Sequence, residues 1–381
     1  MELRPVARAL VLTLAACAPE EAPRGPATAV ELAVRSRDDF AANEAGLITP
    51  ATLERWARDW TGQRPAGVEG ELIVLQFDAA AGELPWLANT PGVRAYHAAE
   101  LTRLSEPRNN GIAAIGLAPS NGIRIDSFMR RFNIHPNRDL VVFVTGKATP
   151  ESFAVLSRAW LTFRYWGWDH ARLALVNGDV ASLPVALRAA SVDAHPFTGD
   201  VRIGTVTNEH FVLLADLAAV RSAIGTSPII DVRAPAEFEG AALAATPHDL
   251  TCLEGNAACT PTFSGRIASA RNVPVTSLQH ADGTFRALGE LDAATASIDR
   301  AQTAFIYDGD GDDSAIATFA LTAIVGQPAR WYAGSFLEWG ALNASHPNSG
   351  LRALPTDSPW RTDTFPALTE GASEWSTVEH G

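Results

Sequence analysis

The chain has 381 residues, 47% hydrophobic and 19% charged, and its 30 Lys and Arg against 43 Asp and Glu give a formal net charge of −13. At roughly 100 to 200 residues per domain this reads as two globular domains, too apolar and too varied for a disordered or fibrous chain. No run of Lys or Arg offsets the acidity, so phosphate backbones are repelled and nucleic acid is excluded as a partner.

At the N-terminus Arg4 and Arg8 precede a short apolar stretch, 9–16, and Cys17 follows directly on Leu14-Ala15-Ala16. This resembles a bacterial lipobox, which implies a signal peptide over 1–16 and a lipid anchor on Cys17. The apolar stretch is far below the about 20 residues that a membrane-crossing helix needs. A protein of the cell envelope, lipid-anchored and otherwise monomeric, is expected. Residues 17–44 open with Pro, Glu and Ala and little apolar periodicity, and read as a flexible tether.

From there helical and strand patterns alternate. Amphipathic periodicity falls at 52–60, a strand-like run at 72–77 (LIVLQF), helical periodicity at 123–132 and an apolar strand at 140–144 (LVVFV). Thr149 as N-cap and Pro150 at the first helical position start a helix running to Tyr165, with a strand at 173–176 beyond it. The 196–208 stretch reads as a linker. The plan then recurs: helix at 211–223, strand at 227–232, helix at 291–300, strand at 304–307, helix at 314–324 and strand at 329–332. The fold class that follows is α/β, two tandem units at 45–195 and 209–347, each a small parallel sheet flanked by helices, with an irregular tail over 348–381.

Three stretches of the second unit carry a family resemblance. Asp231-Val232-Arg233 with Glu237-Phe238 and Gly240 is similar to the D-V-R-x-x-x-E-F-x-G signature of the rhodanese sulfurtransferases. The run from Gly265 to Pro274 is similar to G-H-I-P-G-A-x-N-V-P, with Arg266 in place of its His. The run from Trp331 to Gly340 resembles the Y-D-G-S-W-x-E-W end of the tandem members. In the first unit Ser157-Arg158-Ala159-Trp160, Gly167 and 175–178 resemble a diverged counterpart.

The resemblance implies an anion-holding nest of backbone N–H groups between a central strand and the next helix, headed by a Cys that accepts sulfur as a persulfide. Here the loop reads Tyr307-Asp308-Gly309-Asp310-Gly311-Asp312-Asp313-Ser314, with Asp308 where the family has Cys. A carboxylate forms no persulfide, so the expectation is a sulfurtransferase-like module without that activity, its residual pocket lined by Asp231, Arg233, Glu237 and the 308–314 loop. No cofactor is expected. The partner, a small anion or a protein, stays open.

Two other readings remain. Cys252 and Cys259, with six residues between them in a polar loop, form most simply a disulfide in an exported protein, yet in reduced form they could relay sulfur. Asp308, Asp310, Asp312 and Asp313 offer oxygen ligands of the kind that hard divalent cations prefer, the first three as the candidate ligands, although the simpler assignment of the acidic run is an N-terminal cap for the following helix. The nine His are scattered without metal-ligand spacing, and the Trp160, Trp166 and Trp168 cluster reads as interdomain core.

Overall fold

The computed structural model describes residues 27–77, 85–109, 114–189, 210–241 and 265–343. Cys17, Cys252, Cys259, the 1–16 segment, the 196–208 linker and the tail from 348 onward lie outside the described residues.

After a four-residue helix, α1 (Ala29–Leu32), the first unit runs β1 (Gly46–Ile48), α2 (Pro50–Arg58), α3 (Trp60–Gln63), β2 (Leu72–Phe77), β3 (Trp86–Leu87), β4 (Val93–His97), β5 (Ser105–Asn109), β6 (Ala114–Pro119), α4 (Gly122–Arg131), β7 (Leu140–Thr145), α5 (Pro150–Tyr165), β8 (Leu173–Asp179) and β9 (Arg188–Ala189). The second runs α6 (Leu217–Ala223), β10 (Ile229–Asp231), α7 (Pro235–Phe238), β11 (Arg271–Asn272), α8 (Leu288–Ala294), β12 (Ala304–Tyr307), α9 (Asp312–Phe319), β13 (Ala329–Trp331) and α10 (Ser335–Asn343). The strand orders are β1-β8-β7-β2-β4 and β11-β10-β12-β13, and every neighbouring pair in these two sheets is parallel.

Parallel sheets are covered on both faces, which is why their strands read as continuous apolar runs. The period of two within each strand sorts those residues. Ile73, Leu75 and Phe77 of β2 face one core, while Leu72 and Val74 face the other, packed under Leu53 and Trp56 of α2. The first of these cores does not end with its own sheet. It runs through α5 into Ile230, Ile306 and Trp331 of the second sheet, and Trp160 meets Phe319 edge to face at 5.0 Å between centroids. Trp160 and Trp168 are fully buried in it.

Several local expectations are corrected. The 52–60 helix breaks at Asp59, whose carboxylate caps α3 through Gly62 N at 3.0 Å. The 211–223 helix starts only at Leu217, because Asp216 caps Ala219 N at 2.8 Å and leaves a 3-10 turn at Phe211–Leu213. The helix placed at 291–300 is α8, Leu288–Ala294, where Glu290 accepts Ala287 N at 3.2 Å and fixes an earlier start. Strands β1, β4 and the β5–β6 hairpin carried no sequence expectation.

The tether reading fails over 27–44, which is docked. Thr28 and Glu31 form a capping box on α1, and the next residues lie along the end of α9, where the helix widens into a π-turn at Ala320–Ile324. That turn leaves carbonyls without helical partners. Val34 N donates to Thr322 O at 2.7 Å and Ser36 N to Ile324 O at 2.8 Å. Arg35 forks onto Asp292 at 2.6 and 3.0 Å.

Candidate active site

Strand β12 ends at Tyr307 and α9 begins at Asp312, so 308–311 form the turn at the carboxyl end of the second sheet, where open α/β sheets place their ligands. Gly311 takes φ 111°, and a Cβ there would stand 2.8 Å from Ala333 O, so glycine is required on both counts.

The Asp308 side chain, 3% exposed, turns inward. Its Oδ1 accepts Gly311 N at 2.7 Å and the Ser335 hydroxyl at 2.6 Å, and its Oδ2 accepts Asp313 N at 2.9 Å. Its backbone is held as well, with Phe336 N donating to Asp308 O at 2.9 Å. The carboxylate therefore takes, within its own loop, the amides and helix end that would otherwise receive an anion. Burial and the neighbouring Asp310 charge push Asp308 up to about 6, against the Ser335, Ser314 and Gly311 donors that hold it down. Asp313 rises to about 7 through burial and the charges of Asp308, Asp310 and Glu237.

The remaining acids are directed apart. Asp310 accepts Asp312 N at 3.3 Å. Asp312 forms an ion pair with Arg158, which α5 of the first domain brings to the loop and whose burial lowers it to about 10. Among the described residues no group of three or more His, Cys, Asp or Glu side chains is placed to hold a metal ion. The cation reading of Asp308, Asp310 and Asp312 loses its basis: one side chain faces amides, one caps the helix and one meets a guanidinium. Ser314 is fully buried and accepts Trp331 Nε1 at 3.0 Å.

Asp231 and Arg233 are 0% and 3% exposed and engage each other rather than an open pocket. Arg233 Nε and Nη2 reach Asp231 at 3.0 and 2.5 Å, Nη2 also donates to Gly265 O at 2.6 Å, and the guanidinium lies 4.1 Å from the Phe336 ring centre. Tyr307 OH donates to Asp231 Oδ2 at 2.6 Å. This lock ties β10 to β12 and to the segment after Gly265. Glu237 is half-buried at the end of α7 and acts electrostatically on Asp313.

The sequence reading missed Arg158 as a member of this site, along with Ser335 and Leu117, the last lying 3.5 Å from where a Gly311 Cβ would stand. Arg158 and Ser335 stand inside two of the stretches compared above, but their contacts with the loop are made across the fold.

The rhodanese-like domain family matches residues 215–342. The putative thiosulfate sulfurtransferase SseB of Mycobacterium tuberculosis is 29% identical over 243 residues, covering 62% of this chain and 76% of that protein. The thiosulfate sulfurtransferase of Corynebacterium glutamicum is 27% identical over 193 residues, covering 49% and 61%. Among solved structures, SseA from Escherichia coli, a 3-mercaptopyruvate sulfotransferase, overlays with a TM-score of 0.52 at 16% identity, over 76% of this chain and 98% of that one. YnjE overlays at 0.54 and 17% identity, over 82% and 69%. At such identities the structural likeness speaks for the fold alone.

Proposed function

The chain belongs to the rhodanese family through its second domain, and from that premise we propose that it is a lipid-anchored envelope protein with the sulfurtransferase fold but without sulfur transfer, serving as a binding or structural module. One observation supports the reading: the carboxylate of Asp308, the residue we match to the family's sulfur-accepting Cys, takes the Gly311 and Asp313 amides at 2.7 and 2.9 Å. A persulfide needs a thiolate, and a substrate anion would meet a carboxylate already bound where it should bind. Asp310, Asp313 and Glu237 add like charge around the same place.

The test is direct. The protein without its first 16 residues should give no turnover in thiosulfate:cyanide and 3-mercaptopyruvate assays. Turnover surviving Cys252→Ser with Cys259→Ser would overturn the inactive reading, and turnover abolished by that pair would establish a relay through those thiols instead. Asp308→Cys should create weak activity, raised further by Asp310→Asn and Asp313→Asn. Asp312 is best left in place, because it neutralises the buried Arg158.

Anchorage rests on the sequence before the folded body. Cys17→Ser should move the protein from the membrane to the soluble fraction. No helix among the described residues is long and apolar enough to hold it there, and persistent membrane association would refute the anchor.

A further inference from the structure

We propose that α4 and an aromatic ridge beside it form a membrane-facing surface that sits on anionic lipid headgroups, a reading that rests on the Cys17 anchor. Among the described residues four large apolar side chains are strongly exposed, and two of them, Ile123 at 79% and Phe211 at 50%, belong to one ridge. Phe211 meets Tyr165 and Trp166 edge to face at 5.1 and 6.3 Å between ring centres, and Tyr165 meets Trp166 at 5.3 Å. Gly122, next to Ile123, lies against the Trp166 ring, where a Cβ would stand 3.4 Å from it. A contiguous apolar ridge marks a contact surface, which apolar side chains exposed singly do not.

Its chemistry suits a headgroup layer. Tyr165 and Trp166 are half-buried, and Trp166 Nε1 donates to Ser120 O at 2.9 Å, so the indole leaves water without stranding its donor. Rings of this kind gather where apolar chains meet polar headgroups. Beside them α4 buries Ile125, Phe128 and Met129 and carries Arg124, Arg130 and Arg131 against one acid, Asp126. Glu106 is shared between Arg124 at 3.7 Å and Arg108 at 3.3 Å, so the neighbourhood stays positive. In a chain of net charge −13, a basic helix next to exposed apolar side chains is complementary to an anionic lipid surface.

The position agrees with the anchor. The 211–215 segment reaches β13, with Ala215 N on Trp331 O at 2.8 Å and Arg330 Nε on Leu214 O at 3.1 Å. Helix α1 packs against the same strand and leaves Val30 exposed. From Cys17 to Ala27 the chain takes ten residue steps, at most about 35 Å when fully extended. An acyl group on Cys17 therefore keeps the β13 edge, and Phe211 with it, near the bilayer.

The test holds the mature chain on vesicles without acylation, through a histidine tag in place of residues 1–17 and a nickel-chelating lipid. The vesicles are phosphatidylcholine with phosphatidylglycerol, brominated near the headgroup end of the acyl chains. Part of the tryptophan emission should be quenched, and that part should vanish in Trp166→Phe. Ile123→Asp, at an exposed position, should lower the seated fraction about tenfold, the effect of withdrawing one large apolar side chain. Arg124→Gln should lower it about fivefold on these vesicles and leave it unchanged on pure phosphatidylcholine, the weight of one cation at a charged surface.

Absence of quenching, or undiminished quenching in Trp166→Phe or Ile123→Asp, would overturn the surface. So would sedimentation of a dimer that Ile123→Asp splits, because the ridge would then belong to a second copy of the chain. Should Trp166→Phe fail to fold, Ile123→Asp carries the comparison. The anchor stands or falls separately, by the membrane fractionation of Cys17→Ser, on which the tagged protein does not depend.

Discussion

The Asp308 side chain organises the loop at the end of β12. A carboxylate is an anion of the right size for a nest of amides, and Asp308 fills that nest without leaving the chain. It follows that Asp308→Ala does more than delete a charge, because it strands the Gly311 and Asp313 N–H groups, while the Ser335 hydroxyl keeps only Tyr332 O. A buried donor without an acceptor costs about 1–3 kcal/mol, so urea denaturation should register a loss of at least that size, and an unchanged midpoint would contradict the assigned geometry. Ser335 gives a second measurement. Its hydroxyl holds the Asp308 carboxyl down against burial, so Ser335→Ala should move the Asp308 titration above about 6, followed by the carboxyl carbon chemical shift. A downward or absent movement would show that the hydroxyl is not the donor. Ser335 itself sits at φ 49°, a region unfavourable for a residue with a Cβ, held by the contacts of its hydroxyl with Asp308 and Tyr332.

At the scale of elements, α9 is gripped at both ends by residues that precede the second domain. Its start meets Arg158, and its π-turn is closed by the 33–36 segment. Composition had marked that segment as tether, and what overrides composition is a row of carbonyls that the π-turn leaves open. Val34→Pro removes the donor to Thr322 O and should cost roughly 1 kcal/mol or more. Arg35→Ala should cost less, since its pair with Asp292 is 49% and 32% exposed and such pairs contribute about 0–1 kcal/mol. If the order of these two effects were reversed in thermal unfolding, the backbone bonds would not be what holds the segment. Gly326, at φ 74°, keeps the turn after the helix narrow enough for Arg35 to pass, with a Cβ there only 2.9 Å from the Arg35 Cβ.

For the whole molecule, the continuous core through α5 and α9 matters more than the boundary between the sheets. Phe153, Trp160, Phe285 and Phe319 interlock across it, and Phe285 exchanges two hydrogen bonds with the Asn177 side chain, at 2.7 and 3.0 Å. Two domains that share a core should unfold together. Trp160→Ala, which empties the middle of that seam, should cost about 3–5 kcal/mol and should lower one common transition seen by both far-ultraviolet circular dichroism and tryptophan fluorescence. Two separated transitions in the wild type would mean that the domains are energetically independent.

The amino-acid sequence by itself determined the two α/β units, because buried parallel strands must be apolar runs and LIVLQF, LVVFV and AFIY are short enough to be little else. It also determined the absence of a thiol at 308, which is a matter of residue identity. What it left open are contacts made at long range: β4 and the β5–β6 hairpin, which lack a strong period; the docking of 27–44, which depends on carbonyls freed elsewhere; and the burial of Asp231 and Arg233 against each other. The fate of the acidic run was open for the same reason. Four carboxylates within six residues read as a cation loop or, more simply, as a helix cap, and only the tertiary structure shows where each side chain goes, turning Asp308 onto amides and bringing Arg158 from another domain to Asp312.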